Sequence, residues 1–275
     1  MKNLLYLISG LFLLAGCQPH QAIVSPGEQV PNPAANARTT VVSAAFAARQ
    51  QRGTVKDGNL NEISGLALSR TNPGYIWVQE DSGNPNKIYL IDETGTTKAT
   101  VNLPDSNRDW EDIAVGPGPT ANTSYIYLAD VGNNNLSYST IYVYRFVEPS
   151  IAGRSLPYTT TLSNSAVKKL DFVYDGGTSG RRNCETLMID PLTKDLYFIT
   201  KEDNAENKTA TGKAGVYRAA YPQKESGTNT LVRLNSLDIL TATGGDISAN
   251  GQEVLIKNYK TVYYWKKSST SQSIA

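Results

Sequence analysis

From about residue 60 onward, short runs of alternating or clustered apolar positions recur along the chain, each bounded by Gly, Asn, Asp and Pro. The segments GYIWVQEDSGN, SYIYLADVGNN, DLYFITKEDN and QEVLIKNYK are each followed by a second run: NKIYLIDETG, STIYVYRFVEP, AGVYRAAYP and TVYYWKK. Their richness in Tyr, Val, Ile and Thr, with a period of two, predicts strands joined by tight turns. No helical period is sustained after the N-terminal segment, and the best candidate, VVSAAFAARQ at 41–50, is short. The folded part is therefore expected to be all-β.

The strands fall into repeated units. Each unit opens with an acidic residue leading a short apolar strand: NEISGLALS at 61–69, WEDIAVGP at 110–117, CETLMIDP at 184–191 and GGDISANG at 244–251. A second and a third strand follow in every unit. The first three units also have a fourth, in TTKATVNL, KKLDFVYDGG and TLVRLNSLDI. Four antiparallel strands repeated in series is the plan of a β-propeller blade, and the fixed order of features favours it over a β-sandwich of similar strands. Within a propeller domain expected over 39–275, three complete blades and a partial fourth account for about 61–275. The stretch 38–58 is expected to supply an outermost strand closing the ring against the last blade.

The first residues, MKNLLYLISGLFLLAGC, combine a lysine, an apolar stretch too short to span a bilayer, and small residues before Cys17. That pattern predicts a secretory signal at 1–16. Leu-Ala-Gly-Cys also resembles the lipobox of bacterial lipoproteins. The resemblance implies diacylation of Cys17, membrane attachment through that lipid and, with Gln18 next, the outer membrane facing the periplasm. Residues 17–38, rich in Pro, Ala, Gln and Asn, read as a flexible tether.

Composition removes several chemistries. The only histidine is His20, in the tether. Histidine-based triads, histidine-bound metals and a histidine general base are thus excluded from the domain, and haem loses its usual axial ligand. Once Cys17 is lipidated, Cys184 has no disulfide partner, and it is expected to be a small buried residue. The net charge is only +1 and the Lys and Arg are scattered, which argues against a nucleic-acid partner. The Gly-rich basic loop DGGTSGRRN at 175–183 offers Arg181 and Arg182 to an anion. It lacks the Lys-Ser/Thr ending of a nucleotide loop.

The runs EISGLA, DWEDIAVGPG, ADVGNNN with IYVYRFVEP, NCETLMIDP with LYFITKE, and GDISANG resemble a poorly characterised family of secreted bacterial β-propellers over about 60–265. More distantly they are similar to NHL and SMP-30-like propellers and to esterase-like phytases. The resemblance implies a five- or six-bladed ring continuing past the point of Trp265, so this chain is expected to be truncated or incompletely closed.

In a propeller the inner strand of every blade lines a central channel, which would bring Glu62, Glu111, Glu185 and Asp246 together. Clustered carboxylates require a cation, basic neighbours or raised pKa values. Oxygen ligands of this kind suit Ca²⁺ or Mg²⁺, and Asp81 and Asp130 in the following turns are further candidate ligands. Arg108, Arg181 and Arg182 are the alternative neutralising groups, and plain turn chemistry is the third reading. Asp109, Trp110 and Asp112 are expected to be local to the second blade. Trp77, Trp110, Trp265 and the alternating tyrosines offer either a carbohydrate platform or packing between blades. The function expected is a lipid-anchored envelope module that binds or scaffolds a protein or glycan, with a structural divalent cation. The alternative is a Ca²⁺- or Mg²⁺-dependent hydrolase of a lactone, ester or phosphoester.

Overall fold

The computed structural model describes residues 50–176, 180–201 and 213–267, with Phe46, Ser269 and the backbone of Tyr6–Leu7 and Gln21–Ile23. Cys17, His20, most of the leader and tether, and Glu202, Asp203 and Asn204 lie outside the described residues, among which no α-helix occurs.

Three complete antiparallel four-stranded units follow one another. The first comprises Ile63–Leu68, Tyr75–Glu80, Lys87–Asp92 and Thr97–Asn102. The second comprises Trp110–Pro117, Ser124–Asp130, Ile141–Val147 and Lys168–Tyr174. The third comprises Cys184–Ile189, Leu196–Thr200, Ala214–Ala219 and Thr228–Leu237. Gly245–Ile247, Glu253–Lys257 and Val262–Lys266 form the fourth sheet. The inner strands of successive units lie side by side in sequence order, so the sheets are blades arranged about an axis: a β-propeller.

The hydrophobic core is layered between blades. Trp77, Leu90 and Val101 of the first blade meet Trp110, Ile126 and Phe146 of the second. Tyr127, Val143 and Phe172 meet Leu187, Phe198 and Tyr217 of the third, and Met188, Tyr197 and Val216 meet Ile247, Val254 and Ile256 of the fourth. Strands covered on both faces read as unbroken apolar runs, and Cys184–Ile189 and Leu196–Thr200 are buried at every position. Burying each large side chain stabilises by about 2 kcal/mol or more. Trp77 and Trp110 are wholly buried in the first layer, so packing is their role, while Trp265 stacks on Tyr263 at 6.1 Å. Cys184 is buried and free, as expected.

Two parallel ladders tie the blades at their outer edges. Tyr158–Thr161, in the insertion before the second blade's last strand, adds beside Thr97–Asn102 of the first blade. The long strand Thr228–Leu237 pairs through 228–231 with Asp171–Tyr174 of the second blade, and through 232–237 with its own blade.

The expected closing strand is corrected in one respect. Of 38–58, the described part runs over the first blade: Lys56 N donates to Gly95 O, and Val55 and Leu60 cover Ile76, Val78 and Ile91. That face would otherwise stand bare, and its burial explains the placement. Gln50–Gln51 pairs with Tyr6–Leu7. The outer strand of the fourth sheet is instead Gln21–Ile23, antiparallel to Val262–Tyr264.

Candidate functional site

At the start of the inner strand in each complete blade the ladder shifts register, between Ile63 and Gly65, Trp110 and Asp112, and Cys184 and Thr186. Each shift leaves one extra residue out of the strand's alternation: Ser64, Glu111 and Glu185. In the fourth sheet Thr243 N donates to Lys257 O and Lys257 N to Gly244 O, which puts Gly244 (φ +149°) at the same place. The structurally equivalent set is therefore Ser64, Glu111, Glu185 and Gly244. The bulge consumes a residue that the sequence words do not reveal, so Glu62 lies two positions before it and Asp246 two after. Glu62 is exposed, where it accepts a hydrogen bond from Asn84 Nδ2 at 2.8 Å. Asp246 lies within electrostatic reach of Asp112 and of Arg70 from the first blade. Desolvation lifts its carboxyl to about 6, against the Ile247 N–H and Arg70.

Glu111 is only 4% exposed. It shares a cluster with Asp109 and with Asp81 from the turn after the first blade's second strand. One ligand oxygen from each lies within 4.8 Å of the other two. Burial pushes Glu111 far above the carboxylate range, and the charges of Glu185, Asp81 and Asp109 push the same way; Lys201 opposes them. Asp109 is raised by burial and by Asp81, against a Ser82 hydrogen bond and Arg108. Gly132 closes the back of the cluster: a Cβ there would stand 2.4 Å from Asp109 Cγ and from Glu111 Oε1. Its N–H donates to Asp109 O at 3.1 Å. Backbone can approach two carboxylates this closely only at glycine.

Lysines answer the charge of Glu111 and Glu185, while Arg108 acts on Asp109. Lys201 Nζ donates to Glu185 Oε1. Lys257 lies against the bulge glycine, its Cε 3.1 Å from where a Gly244 Cβ would be. Desolvation lowers its pKa, while Asp112 and Glu185 counter the shift. Arg181 and Arg182 bond backbone carbonyls, of Leu136 at 3.2 Å and of Arg181 at 2.9 Å. Arg108 instead pairs with Asp130 at 3.2 Å, held between the rings of Tyr138 and Tyr142 at 4.1 and 4.5 Å. Asp130, fully buried, also accepts from Tyr144 OH. It belongs to this ion pair and not to the acidic cluster, because it sits in the ladder directly opposite Trp110, not at the bulge.

Two residues read from the sequence as local to their turn are more than that. Asp109 completes the cluster with Asp81 and Glu111. Asp112 bridges blades, accepting from Ile113 N and from Leu187 N of the third blade, both at 2.9 Å.

An all-oxygen donor set drawn from two blades, with glycine at its back and no nitrogen or sulfur ligand, fits a hard divalent cation. Asp81, Asp109 and Glu111 would hold it.

No family model and no curated protein matches the sequence. Among solved structures the chain is similar to one in "Crystal Structure of Mitotic Checkpoint Complex", at 14% identity and a TM-score of 0.38, over 81% of this chain. The chain spans 56% of the length of that one.

Proposed function

We propose that this chain is a lipid-anchored envelope β-propeller that serves as a binding module for an envelope protein or glycan. In this reading a divalent cation, Ca²⁺ or Mg²⁺, is held at one end of the axis by Asp81, Asp109 and Glu111. The observation that supports it most is the cluster itself: three carboxylates from two blades within 4.8 Å, packed on Gly132. Without a cation, burial and mutual repulsion leave Glu111 protonated; with one, that proton leaves, so binding and proton release are linked. The cation would pin the turn of the first blade to the second. The anchor rests on the leader and Cys17, and the kinship with secreted bacterial propellers on the sequence runs that open each unit.

Calorimetric titration with Ca²⁺ and with Mg²⁺, in two buffers of different ionisation enthalpy, tests the site. Binding with proton release is expected in the wild type, together with a lower melting temperature after EDTA treatment. Both are expected to vanish in Asp109→Asn. An unchanged melting temperature with no metal by elemental analysis would end the cation reading.

The hydrolase reading has one observation in its favour. Glu111 and Glu185 are neighbouring carboxyls, of which one is paired with Lys201 and the other is not. Such an asymmetry separates acid from base, and a bound divalent ion would acidify a water or polarise a carbonyl. Turnover of lactones or phosphoesters that is lost in Glu111→Gln would favour it, and equal turnover in both proteins would remove Glu111 from any mechanism.

A further inference from the structure

Far from the axis, the third and fourth strands of the second blade place two cations side by side. Arg145 and Lys168 stand directly opposite one another in the antiparallel ladder, an arrangement that destabilises a sheet unless an anion answers it. Arg145 is 3% exposed. A guanidinium cannot shed its proton, and the Arg145 Nε–H has no acceptor among the described residues. One carboxylate reaches it: Glu225, from the turn before Thr228–Leu237 of the third blade, whose side chain is 48% exposed. These three line a cleft of about 480 Å³ with Tyr125, Val147 and Leu162.

We propose that this cleft binds a small organic acid, a carboxylate borne on an aromatic or aliphatic body, and that Glu225 occupies the carboxylate position when no ligand is bound. The planar guanidinium fork matches a carboxylate edge to edge, and Lys168 supplies a second positive charge at the rim. Tyr125, Leu162 and the exposed Val147, two positions along the strand from Arg145 and so on its face, give the apolar wall that a carboxylate's body needs, in a cleft of the size small ligands use. Glu225 is held by its own exposed turn, with Gly227 at φ +77° close behind it. It can swing into solvent without uncovering core. The buried guanidinium then exchanges an internal carboxylate for an external one, and no charge is left bare.

The test uses the full mature chain with benzoate as the probe, benzyl alcohol as the neutral analogue and inorganic phosphate as the anion without an apolar body. By calorimetry benzoate is expected to bind the wild type and to bind Glu225→Ala about tenfold more tightly, since the internal competitor is gone. Lys168→Gln is expected to weaken it, and Arg145→Lys to abolish it. Glu225 and Lys168 are exposed, so those two variants keep the test decisive even if Arg145→Lys fails to fold. Absence of benzoate binding in all the proteins, or no tightening in a folded Glu225→Ala, overturns the proposal. So does benzyl alcohol or phosphate binding as tightly as benzoate.

Discussion

Glu148 holds the first two blades together at the end of the axis away from the acidic cluster, and removing it is expected to loosen the whole first blade. Its carboxylate, 3% exposed, accepts from Ser69 Oγ at 2.5 Å, Arg70 N at 3.1 Å, Thr71 N at 3.0 Å, Thr71 Oγ1 at 2.8 Å and Trp77 Nε1 at 2.9 Å. Every donor belongs to the first blade and the acceptor to the second. In Glu148→Ala the donors of Arg70 and Thr71, both exposed, recover water. Trp77 is fully buried and Ser69 nearly so, so their donors do not. Each buried donor left unpaired costs about 1–3 kcal/mol, which gives a loss of about 3–5 kcal/mol once the cavity is included. For a domain of this size each kcal/mol moves the melting temperature by about 2–4 °C, so a drop of about 10 °C is expected by calorimetry. Glu148→Gln keeps one acceptor oxygen and should lose about 1–2 kcal/mol. A Glu148→Ala protein within about 0.5 kcal/mol of wild type in urea unfolding would refute the clasp.

Gly132→Ala drives a methyl group into Asp109 and Glu111; we expect a loss of about 1–3 kcal/mol and the disappearance of Ca²⁺-induced stabilisation in thermal melts. Asp112→Ala leaves the amides of Ile113 and Leu187 unpaired inside the structure and should cost about 2–5 kcal/mol by urea unfolding, while Asp112→Asn, which keeps one of the two acceptor oxygens and turns its NH2 toward the other amide, should lose about 1–3 kcal/mol. Asp246 has a folded pKa of about 6, raised above its ordinary value of 3.8. Its contribution is therefore complete below about pH 4 and is lost as pH rises through 6, so Asp246→Asn should flatten the fall in melting temperature between pH 4 and 7. Lys257 has the opposite sign. Its pKa is lowered by burial, so its contribution is present above the ordinary lysine range and lost as pH falls through the depressed value.

How much of this could be read from the chain depends on the kind of residue. The strands were legible because each blade's second strand is an apolar run ended by turn chemistry, as in YIWVQE before Asp81 and LYFIT before Lys201. The fourth strands KKLDFVY and TLVRLNSL were equally visible. The cross-blade pairing of 228–231 was not, since no local pattern encodes which sheet an edge strand joins. At the site, Glu111 and Glu185 occupy equivalent bulge positions, whereas Glu62 and Asp246 share with them similar words rather than equivalent positions. A bulge shifts the count by one residue, and only the pairing partner reveals it. Asp109 stands two residues before its bulge, so its counterparts are Glu62 in the first blade and Asn183 in the third, and the similar words align none of these with one another.

A usable signal did exist, one strand further on. The residue opposite the start of each bulge closes the second strand, and it is polar in every unit: Glu80, Asp130 and Thr200 by ladder register, and Lys257 by its bonds to Thr243 and Gly244. The four differ in charge, and each is matched to its surroundings. Glu80 receives the Asn61 N–H, Asp130 receives Arg108, Thr200 receives the Gly215 N–H, and Lys257 faces Asp112 and Glu185. The bulge residue and the strand-end residue therefore vary together around the axis, with acid at the bulge in two blades and a lysine behind the glycine in the fourth. A ring built this way concentrates negative charge on the side of the first three blades and sets a lysine beside it in the fourth. For the proposed cation, such an asymmetric field favours an off-axis position at Asp81, Asp109 and Glu111 over one shared equally by all the blades.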